Sequence, residues 1–417
     1  MTKSIILRMD WLSLIIYLLL VIFGIINIYS TTLSEVTVSL FDMNSPAGKQ
    51  FWIFIFSLIF LPIILFINSN FFEHLSLIFY ILSILSLLGL FFFGQKISGA
   101  TSWYFIGGFS IQPSEFAKIT TSLLVASTLS SIQADIKKIS FVTKLLLIIG
   151  LPMILVIFQP DAGTALVFLG LFFVLLREGM DMKTLYFGMG FISLFILTLI
   201  FGPLILSIAL FFILILVYRL ILQYYPKTKK TPFVLLYGIS VLFNISVNFI
   251  FNSVFEQRHR DRFNIMLGLE NDTRGIGYNI NQSKIAIGSG GFSGKGFLNG
   301  TQTKGGFVPE QHTDYIFSTV GEEWGFIGSS GLIILFTVLI SRILYRAEKH
   351  TQSFPRMFSY CFASMLFVHF FINIGMTLGL VPTVGIPLTF ISYGGTNLMA
   401  FSLMFFIYLN LDANRLN

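Results

Sequence analysis

The feature that most constrains this chain is a series of apolar runs, each about as long as a helix needs to cross the roughly 30 Å hydrocarbon core of a bilayer. Of its 417 residues, 55% are hydrophobic and only 11% are charged. This composition excludes a soluble globular protein. Because helices satisfy their own backbone hydrogen bonds in lipid, the sequence predicts an all-α, polytopic membrane protein.

Charged, glycine-rich or proline-rich breaks divide the apolar runs into about twelve predicted membrane-spanning helices. They cover residues 11–30, 51–68, 74–94, 115–131, 144–158, 162–177, 184–201, 203–222, 232–254, 326–345, 357–380 and 388–410. The break within 184–222 depends on Gly202 and Pro203 alone, two residue types that turn a chain readily. Lysine and arginine in the short loops favour a cytoplasmic N-terminus and a cytoplasmic C-terminus.

The net charge of +7 is spread singly between apolar segments, which indicates membrane topology and argues against a nucleic-acid partner. The single cysteine, Cys361, excludes an intrachain disulfide. Without a cluster of histidines and cysteines, the sequence assigns no metal site, and His369 is interpreted as a hydrogen-bonded interior histidine.

Residues 255–325 differ from the rest of the chain because they are polar, charged and rich in glycine. The orientation of the short loops places this segment on the outer face, and long loops are often functional. Residues 309–317 read PEQHTDYIF and bring His312 and Asp314 to the membrane surface. Two interpretations of Asp314 stay open at this stage, a catalytic carboxylate or a cap for the helix that follows it.

Further polar residues suggest contacts to an anionic substrate. Arg260 and Arg262 suit phosphate recognition, although an isolated arginine cluster beside a membrane favours attraction to anionic lipid headgroups. Gln282 and Lys284 precede a glycine-rich run at 288–300, for which tight turns at the bilayer surface are expected. Nucleotide binding is not expected, because the run does not match a phosphate-binding loop.

Inside the predicted membrane region, Glu115 and Lys118 lie three residues apart, on one face of a helix. Charges in lipid are costly, so the pair must face the bundle interior or a polar cavity. A structural role that locks helices together and a functional role both remain open.

Several segments together resemble the SEDS family (shape, elongation, division and sporulation proteins) of bacterial peptidoglycan synthesis. They are GATSW (99–103), QPSEFAK (112–118), QPDAGTAL (159–166), GYNINQSKIAIGSGG (277–291), GKGFLNGTQ (294–302), PEQHTDYIFSTVGEEWGFIG (309–328) and NIGMTLGLVPTVGIPLTFISYGG (373–395). Their order is that of the family. The GTQ before PEQHTD resembles the elongation member RodA more than the division member FtsW.

The resemblance implies a glycosyltransferase that polymerises lipid II for cell elongation and cell shape, at the outer face of the cytoplasmic membrane. It also implies a class B penicillin-binding protein as partner and Asp314 as the essential carboxylate. The residues expected to contact substrate in or near the polar cavity are Glu115, Lys118, Arg260, Arg262, Gln282, Lys284 and His312.

The chain departs from the family pattern in two ways. Family members commonly have ten spans, so a single membrane domain at 1–417 would carry a two-helix insertion at 203–254 before the large outer loop at 255–325. Ser102 and Thr389 stand where the family commonly has arginine and proline. An even number of added spans keeps the large loop outside.

The chemistry of glycan polymerisation needs a base near the acceptor hydroxyl and positive charge near the departing diphosphate. Asp314 would be the base, and Arg260, Arg262 and Lys284 would contact the diphosphate. No cofactor is assigned, although a divalent cation such as Mg²⁺ or Mn²⁺ could share that role. Two other classes stay open, a flippase for the lipid-linked precursor and a noncatalytic scaffold.

Overall fold

A computed structural model describes residues 7–32, 40–97, 99–107, 109–255, 257–269 and 276–415. The prediction of an all-α membrane protein is confirmed for this part of the chain. In chain order the helices are α1 (Trp11–Thr32), α2 (Pro46–Phe66), α3 (Ser69–His74), α4 (Ser76–Phe93), α5 (Pro113–Ser130), α6 (Ile139–Phe158), α7 (Ala162–Phe168), α8 (Leu171–Arg177), α9 (Met182–Phe201), α10 (Pro203–Tyr224), α11 (Thr231–Phe249), α12 (Gln257–Met266), α13 (Ile276–Ser289), α14 (Thr301–Lys304), α15 (Ile316–Ala347), α16 (Ser353–Thr377) and α17 (Gly395–Ala413).

Among the described residues, ten helices are long and apolar enough to cross a membrane, so the predicted number of twelve is not confirmed. The two other predicted spans fall on α5 and on residues 162–177. Helix α5 has 18 residues but is rich in serine and threonine, which lowers its hydropathy. Residues 162–177 form two short helices, α7 and α8, of seven residues each.

The sequence analysis missed three short strands, which the described residues place between α4 and α5. They are β1 (Gln95–Ile97), β2 (Ala100–Ile106) and β3 (Phe109–Ile111), and they form an antiparallel sheet in the order β1-β2-β3. The hydroxyl of Tyr104 donates to the carbonyl of Ser86 at 2.8 Å, which fastens β2 to α4. Aromatic and β-branched residues in β2 suit an extended strand.

The chain divides into two compact units, Met1–Gly179 with Asn279–Asn417, and Met180–Tyr278. In the first unit α16 packs on α5, and α17 packs on α2. Tyr17 of α1 stacks on Phe405 of α17 with ring centroids 4.8 Å apart, and its hydroxyl lies 2.7 Å from Ser402 Oγ. Helices α5, α16 and α17 therefore form the buried centre of this unit.

The second unit contains α9, α10, α11, α12 and a π-helical turn at Ile250–Val254. Buried Asn244 of α11 joins three of these helices through its side-chain amide. Its oxygen accepts from Thr198 Oγ1 of α9 at 3.1 Å, and its nitrogen donates to Ser207 Oγ of α10 at 3.3 Å. The predicted insertion at 203–254 comprises α10, α11 and the π-helical turn, and its status as an insertion stays a prediction.

Helix α15 is broken at Gly325, which has φ 63° and ψ −157°. The glycine-rich residues 290–296 enter this break and complete its backbone hydrogen bonds. The bonds are Phe326 N to Gly291 O (2.9 Å), Ile327 N to Phe292 O (3.1 Å), Lys295 N to Glu322 O (3.0 Å) and Gly296 N to Glu323 O (3.0 Å). We call residues 290–296 and 322–327 together the glycine splice.

The glycine splice needs glycine because two backbone segments approach each other too closely for side chains. A Cβ on Gly325 would lie 2.2 Å from Gly294 N, and a Cβ on Gly294 would lie 2.1 Å from Glu323 O. Both glycines also have positive φ, where other residues are strained. The expected turns are present, and they hold residues 290–296 against α15.

A buried ion cluster lies at the other end of α15. Arg342 Nε donates to Asp10 Oδ1 at 2.8 Å, and Arg346 Nε donates to Asp412 Oδ1 at 3.0 Å. The side chains of Asp10 and Asp412 are both fully buried, so neither can lose its arginine without a large cost. The cluster therefore ties the residue before α1 and the end of α17 to α15.

Replacing Gly325 by alanine should destabilise the protein by at least about 3 kcal/mol, because a Cβ there adds strain and a backbone clash. The measurement is the thermal unfolding transition of the detergent-solubilised protein. The matched control is Gly288→Ala, since a Cβ on helical Gly288 meets open space. An unchanged melting temperature for Gly325→Ala would contradict the glycine splice.

His350 predicts a pH dependence of stability. Burial, together with Arg415, Arg346 and Arg356, lowers the pKa of His350 from 6.5 to about 4. The unfolded chain therefore binds a proton at His350 more tightly than the folded chain does. The contribution of neutral His350 to the free energy of unfolding is fully present above pH 6.5 and is lost as the pH falls towards 4. The loss should reach about 3 kcal/mol.

The check is the melting temperature between pH 7.5 and pH 4.5. His350→Gln should flatten the decline relative to the unsubstituted chain. His74→Gln, at an exposed histidine, should leave the decline unchanged. If His350→Gln loses stability as steeply as the unsubstituted chain, His350 does not cause the dependence.

Candidate active site

Asp314 does not cap the helix that follows it. Helix α15 begins at Ile316, and its N-cap residue is Tyr315 instead of Asp314. The capping interpretation of Asp314 is therefore wrong. The side chain of Asp314 is half-buried, just before the N-terminus of α15.

The loop that carries Asp314 is pinned to an irregular segment, residues 378–394, which we call the Pro-Gly segment. Tyr393 N donates to His312 O at 2.8 Å. Asn373 Nδ2 of α16 donates both to Asp314 O at 2.9 Å and to Ile386 O at 2.8 Å. One bond joins two backbone segments directly and the Asn373 side chain bridges two carbonyls, so together they position the backbone that carries Asp314.

Two glycines of the Pro-Gly segment lie against charged side chains. A Cβ on Gly385, whose φ is 72°, would lie 3.3 Å from Asp314 Oδ2. A Cβ on Gly379 would lie 2.6 Å from Lys284 Nζ. A carboxylate and an ammonium group thus lie against the same short segment.

Helix α13, which carries Lys284, is fastened to the end of α16. Ser283 Oγ donates to the carbonyl of Thr377 at 3.0 Å, and Ser283 is fully buried. Gln282, the neighbouring predicted substrate contact, is half-buried. The structure therefore brings Lys284 and Asp314 to the Pro-Gly segment, and their membership of one substrate site stays a prediction.

Glu322 is a residue of this region whose role the sequence analysis missed. Its fully buried carboxylate accepts from the amides of Thr301, Gln302 and Thr303 at 2.8 Å each, and from Lys295 Nζ at 2.7 Å. A carboxylate suits the free amides at a helix N-terminus. Glu322 thereby fastens α14 to α15.

Glu115 and Lys118 form a buried ion pair, with Lys118 Nζ 2.8 Å from Glu115 Oε1. Asn397 Nδ2 donates to Glu115 Oε2 at 2.9 Å, and Lys118 Nζ lies 3.0 Å from His369 Nε2. Glu115 is 3% exposed and Lys118 is 1% exposed. The prediction that the pair faces the bundle interior is confirmed, and direct contact with substrate stays a prediction.

Arg260 and Arg262 lie on α12, in the second unit. Arg260 Nη1 donates to Asn252 O at 2.8 Å, and both arginine side chains are half-buried. Their approach to a substrate diphosphate stays a prediction.

His312 stands beside Asp314 with its ring 5.8 Å from that of Tyr393. Burial lowers the pKa of His312, and nearby Glu310 partly offsets this effect. The imidazole is therefore neutral at pH 7 and can donate or accept a hydrogen bond. In the part of the chain that the structure describes, no group of three or more His, Cys, Asp and Glu side chains is placed to hold a metal ion.

Comparison with known proteins identifies the family of this chain. The family model of the FtsW/RodA/SpoVE cell cycle proteins matches residues 10–231 and 210–417. The chain is 33% identical over 339 residues to the peptidoglycan glycosyltransferase MrdB of Escherichia coli strain K12, covering 81% of this chain and 77% of MrdB. It is 32% identical over 351 residues to the peptidoglycan glycosyltransferase RodA of Treponema pallidum, covering 78% and 79%.

A solved peptidoglycan synthase complex contains a chain of the same fold, with a TM-score of 0.71, 23% identity and 98% coverage of both chains. The architecture described above is therefore shared over nearly the whole chain. The resemblance seen in the motifs is confirmed, and this chain belongs to the FtsW/RodA/SpoVE family.

Proposed function

We propose that this chain is a peptidoglycan glycosyltransferase that polymerises lipid II into glycan strands during cell elongation, with Asp314 as its general base. Its relatives MrdB and RodA bear the name of that activity. The observation that carries the proposal is the placement of Asp314 and Lys284 against glycines of one Pro-Gly segment. That arrangement offers a base and a cation on one short stretch of backbone.

The proposed reaction is an inverting displacement at an anomeric carbon. Asp314 takes the proton of the acceptor sugar hydroxyl, whose oxygen attacks the anomeric carbon of the donor. The bond from that carbon to the diphosphate breaks, and the polyprenyl diphosphate departs with the bonding electrons. Because a diphosphate is a good leaving group once its charge is neutralised, a single carboxylate is sufficient and no second acid is required.

Cations in this site would stabilise the departing diphosphate. Lys284 is one candidate, because it lies against the same Pro-Gly segment as Asp314. Arg260 and Arg262 are further candidates, with planar guanidinium groups that match phosphate oxygens. Gln282 and neutral His312 would orient sugar or phosphate oxygens by hydrogen bonding.

The proposed partner is a class B penicillin-binding protein, and the proposed location is the bacterial cytoplasmic membrane. A chain of this fold occurs in a peptidoglycan synthase complex that coordinates polymerisation with crosslinking. The multi-pass architecture supports a membrane enzyme acting on a lipid-linked sugar. Both termini would be cytoplasmic, and the Asp314 loop would face outward.

A flippase for the lipid-linked precursor is the second candidate, because Glu115 and Lys118 form the kind of intramembrane ion pair that transporters use. Three observations weigh against it. The pair is buried, its polar atoms bond to Asn397 and His369, and the Asp314 loop lies near the end of α15. A polymerase accounts for that outer loop more directly.

Asp314→Asn should abolish glycan synthesis, with a loss of at least about 1,000-fold, because the amide cannot accept the hydroxyl proton. The measurement is polymerisation of purified lipid II by the chain together with its penicillin-binding protein. The control is Glu310→Gln, which removes an exposed carboxylate from the same loop.

The control variant should retain activity within about threefold, and both variants should bind the partner normally. Undiminished synthesis by Asp314→Asn would exclude Asp314 as the base. Movement of a fluorescent lipid II analogue across vesicles by the unsubstituted chain, with no polymer formed, would favour the flippase.

The proposed orientation, with both termini cytoplasmic, predicts that the two ends of α15 are exposed on opposite sides of the membrane. This helix has 32 residues, or about 48 Å if straight, which exceeds the hydrocarbon thickness of a membrane. In a Cys361→Ala background, Lys304→Cys should react with a membrane-impermeant maleimide added to intact spheroplasts, and Lys349→Cys should react only after lysis. The reverse pattern would place Asp314 in the cytoplasm and exclude the proposed function.

A further inference from the structure

Two side chains on α16 hold adjacent carbonyls of the Pro-Gly segment. His369 Nδ1 bonds to Pro387 O at 3.0 Å, and Asn373 Nδ2 donates to Ile386 O at 2.8 Å. Because they are four residues apart on a helix, they lie one above the other on the same face. Asn373 also donates to Asp314 O, so this pair of side chains connects α16, the Pro-Gly segment and the Asp314 loop.

The contacts of His369 fix its tautomer. A carbonyl oxygen only accepts hydrogen bonds, so Nδ1 must carry the proton that bonds to Pro387 O. Nε2 lies 3.0 Å from Lys118 Nζ, and an ammonium group only donates. His369 is therefore neutral, with Nε2 as acceptor, and Lys118 enforces the tautomer that can bond to Pro387.

Two of the three N–H donors of Lys118 are already used by neighbouring side chains. Its ammonium group bonds to Glu115 Oε1 and to His369 Nε2, and it lies 5.0 Å from the centre of the Phe401 ring. A substrate would have to reach the third donor in a region where Lys118 is 1% exposed. The arrangement suits support of other side chains better than contact with a ligand.

We infer that His369 and Asn373 are positioning residues for Asp314, and that the buried Glu115–Lys118 pair acts through His369 instead of on the substrate. His369 holds the Pro-Gly segment, Asn373 transmits that position to the Asp314 loop, and Lys118 sets the tautomer of His369. This inference rests on the proposed function for its effect on catalysis. Its structural part, the restraint on the Pro-Gly segment, can be measured without substrate.

Two substitutions of His369 separate its two bonds. In His369→Asn the amide nitrogen occupies the place of Nδ1 and can still donate to Pro387 O. In His369→Gln the amide reaches the place of Nε2 and can accept from Lys118, but the donor to Pro387 is lost. An asparagine amide nitrogen is always a donor, so the bond to Pro387 no longer depends on Lys118. His369→Asn is therefore the conservative rescue variant.

The first readout is turnover of lipid II by the full chain with its penicillin-binding protein. His369→Gln should lower kcat by at least tenfold and leave KM within threefold, because Asp314 is misplaced while substrate contacts remain. His369→Asn should retain kcat within about threefold. Cys361→Ala, at a buried residue two turns away on α16, should change neither value.

The second readout is hydrogen exchange of the peptide 386–394, which contains the Tyr393 amide bonded to His312 O. Exchange there should be at least tenfold faster in His369→Gln, and within threefold of the unsubstituted chain in His369→Asn and Cys361→Ala. If His369→Gln does not fold, Asn373→Leu removes the bonds to Asp314 O and Ile386 O and takes its place in both readouts.

Each outcome decides the inference. Faster exchange and lower kcat in His369→Gln, with both restored in His369→Asn, support it. If His369→Gln keeps the kcat or the exchange rate of the unsubstituted chain, the inference is wrong. It is also wrong if His369→Asn loses as much kcat as His369→Gln. If the unsubstituted chain makes no glycan, the proposed function fails, and the exchange comparison alone decides whether His369 holds the Pro-Gly segment.

Discussion

The break in α15 at Gly325 is the constraint on which the packing of the glycine-rich residues and of the Asp314 loop's neighbours depends. A helix interrupted within a membrane protein leaves amides and carbonyls that lipid cannot satisfy. Here residues 290–296 supply the missing partners, with four backbone bonds between 2.9 and 3.1 Å. Glu322 also fastens α14, which lies a few residues before the Asp314 loop in the chain, to α15 beside this junction.

The candidate site is organised by backbone carbonyls more than by side chains touching each other. Asn373 reaches Asp314 O and Ile386 O, His369 reaches Pro387 O, and Ser283 reaches Thr377 O. Irregular backbone at this depth must have its polar groups paired, and each pairing also fixes a neighbouring functional residue. The hydrogen bonds that pair the backbone carbonyls of the Pro-Gly segment are thus also part of what positions Asp314.

Long apolar runs made the membrane class and most helices predictable, because length and composition alone distinguish them. The predicted number of twelve spans is not confirmed. Helix α5 is covered by α16 and α4, so it can carry serine and threonine and is less apolar than the other spanning helices. Asp314 and Lys284 could be found from motifs. The roles of Glu322 and His369 could not be found in this way, because only the folded chain brings their partners together. The named partners of Glu322 lie 19 to 27 residues away in sequence, and those of His369 lie 18 and 251 residues away.

In the second unit, hydrogen bonds among the side chains of Thr198, Asn244 and Ser207 join α9, α11 and α10. Lipid tails and leucine side chains are equally apolar, so van der Waals packing alone gives neighbouring helices little preference for one vertical offset over another. A slide of α11 by one turn would carry the Asn244 amide into hydrocarbon with no partner, which costs several kcal/mol. Asn244 thus fixes the vertical position of α9, α10 and α11 relative to one another.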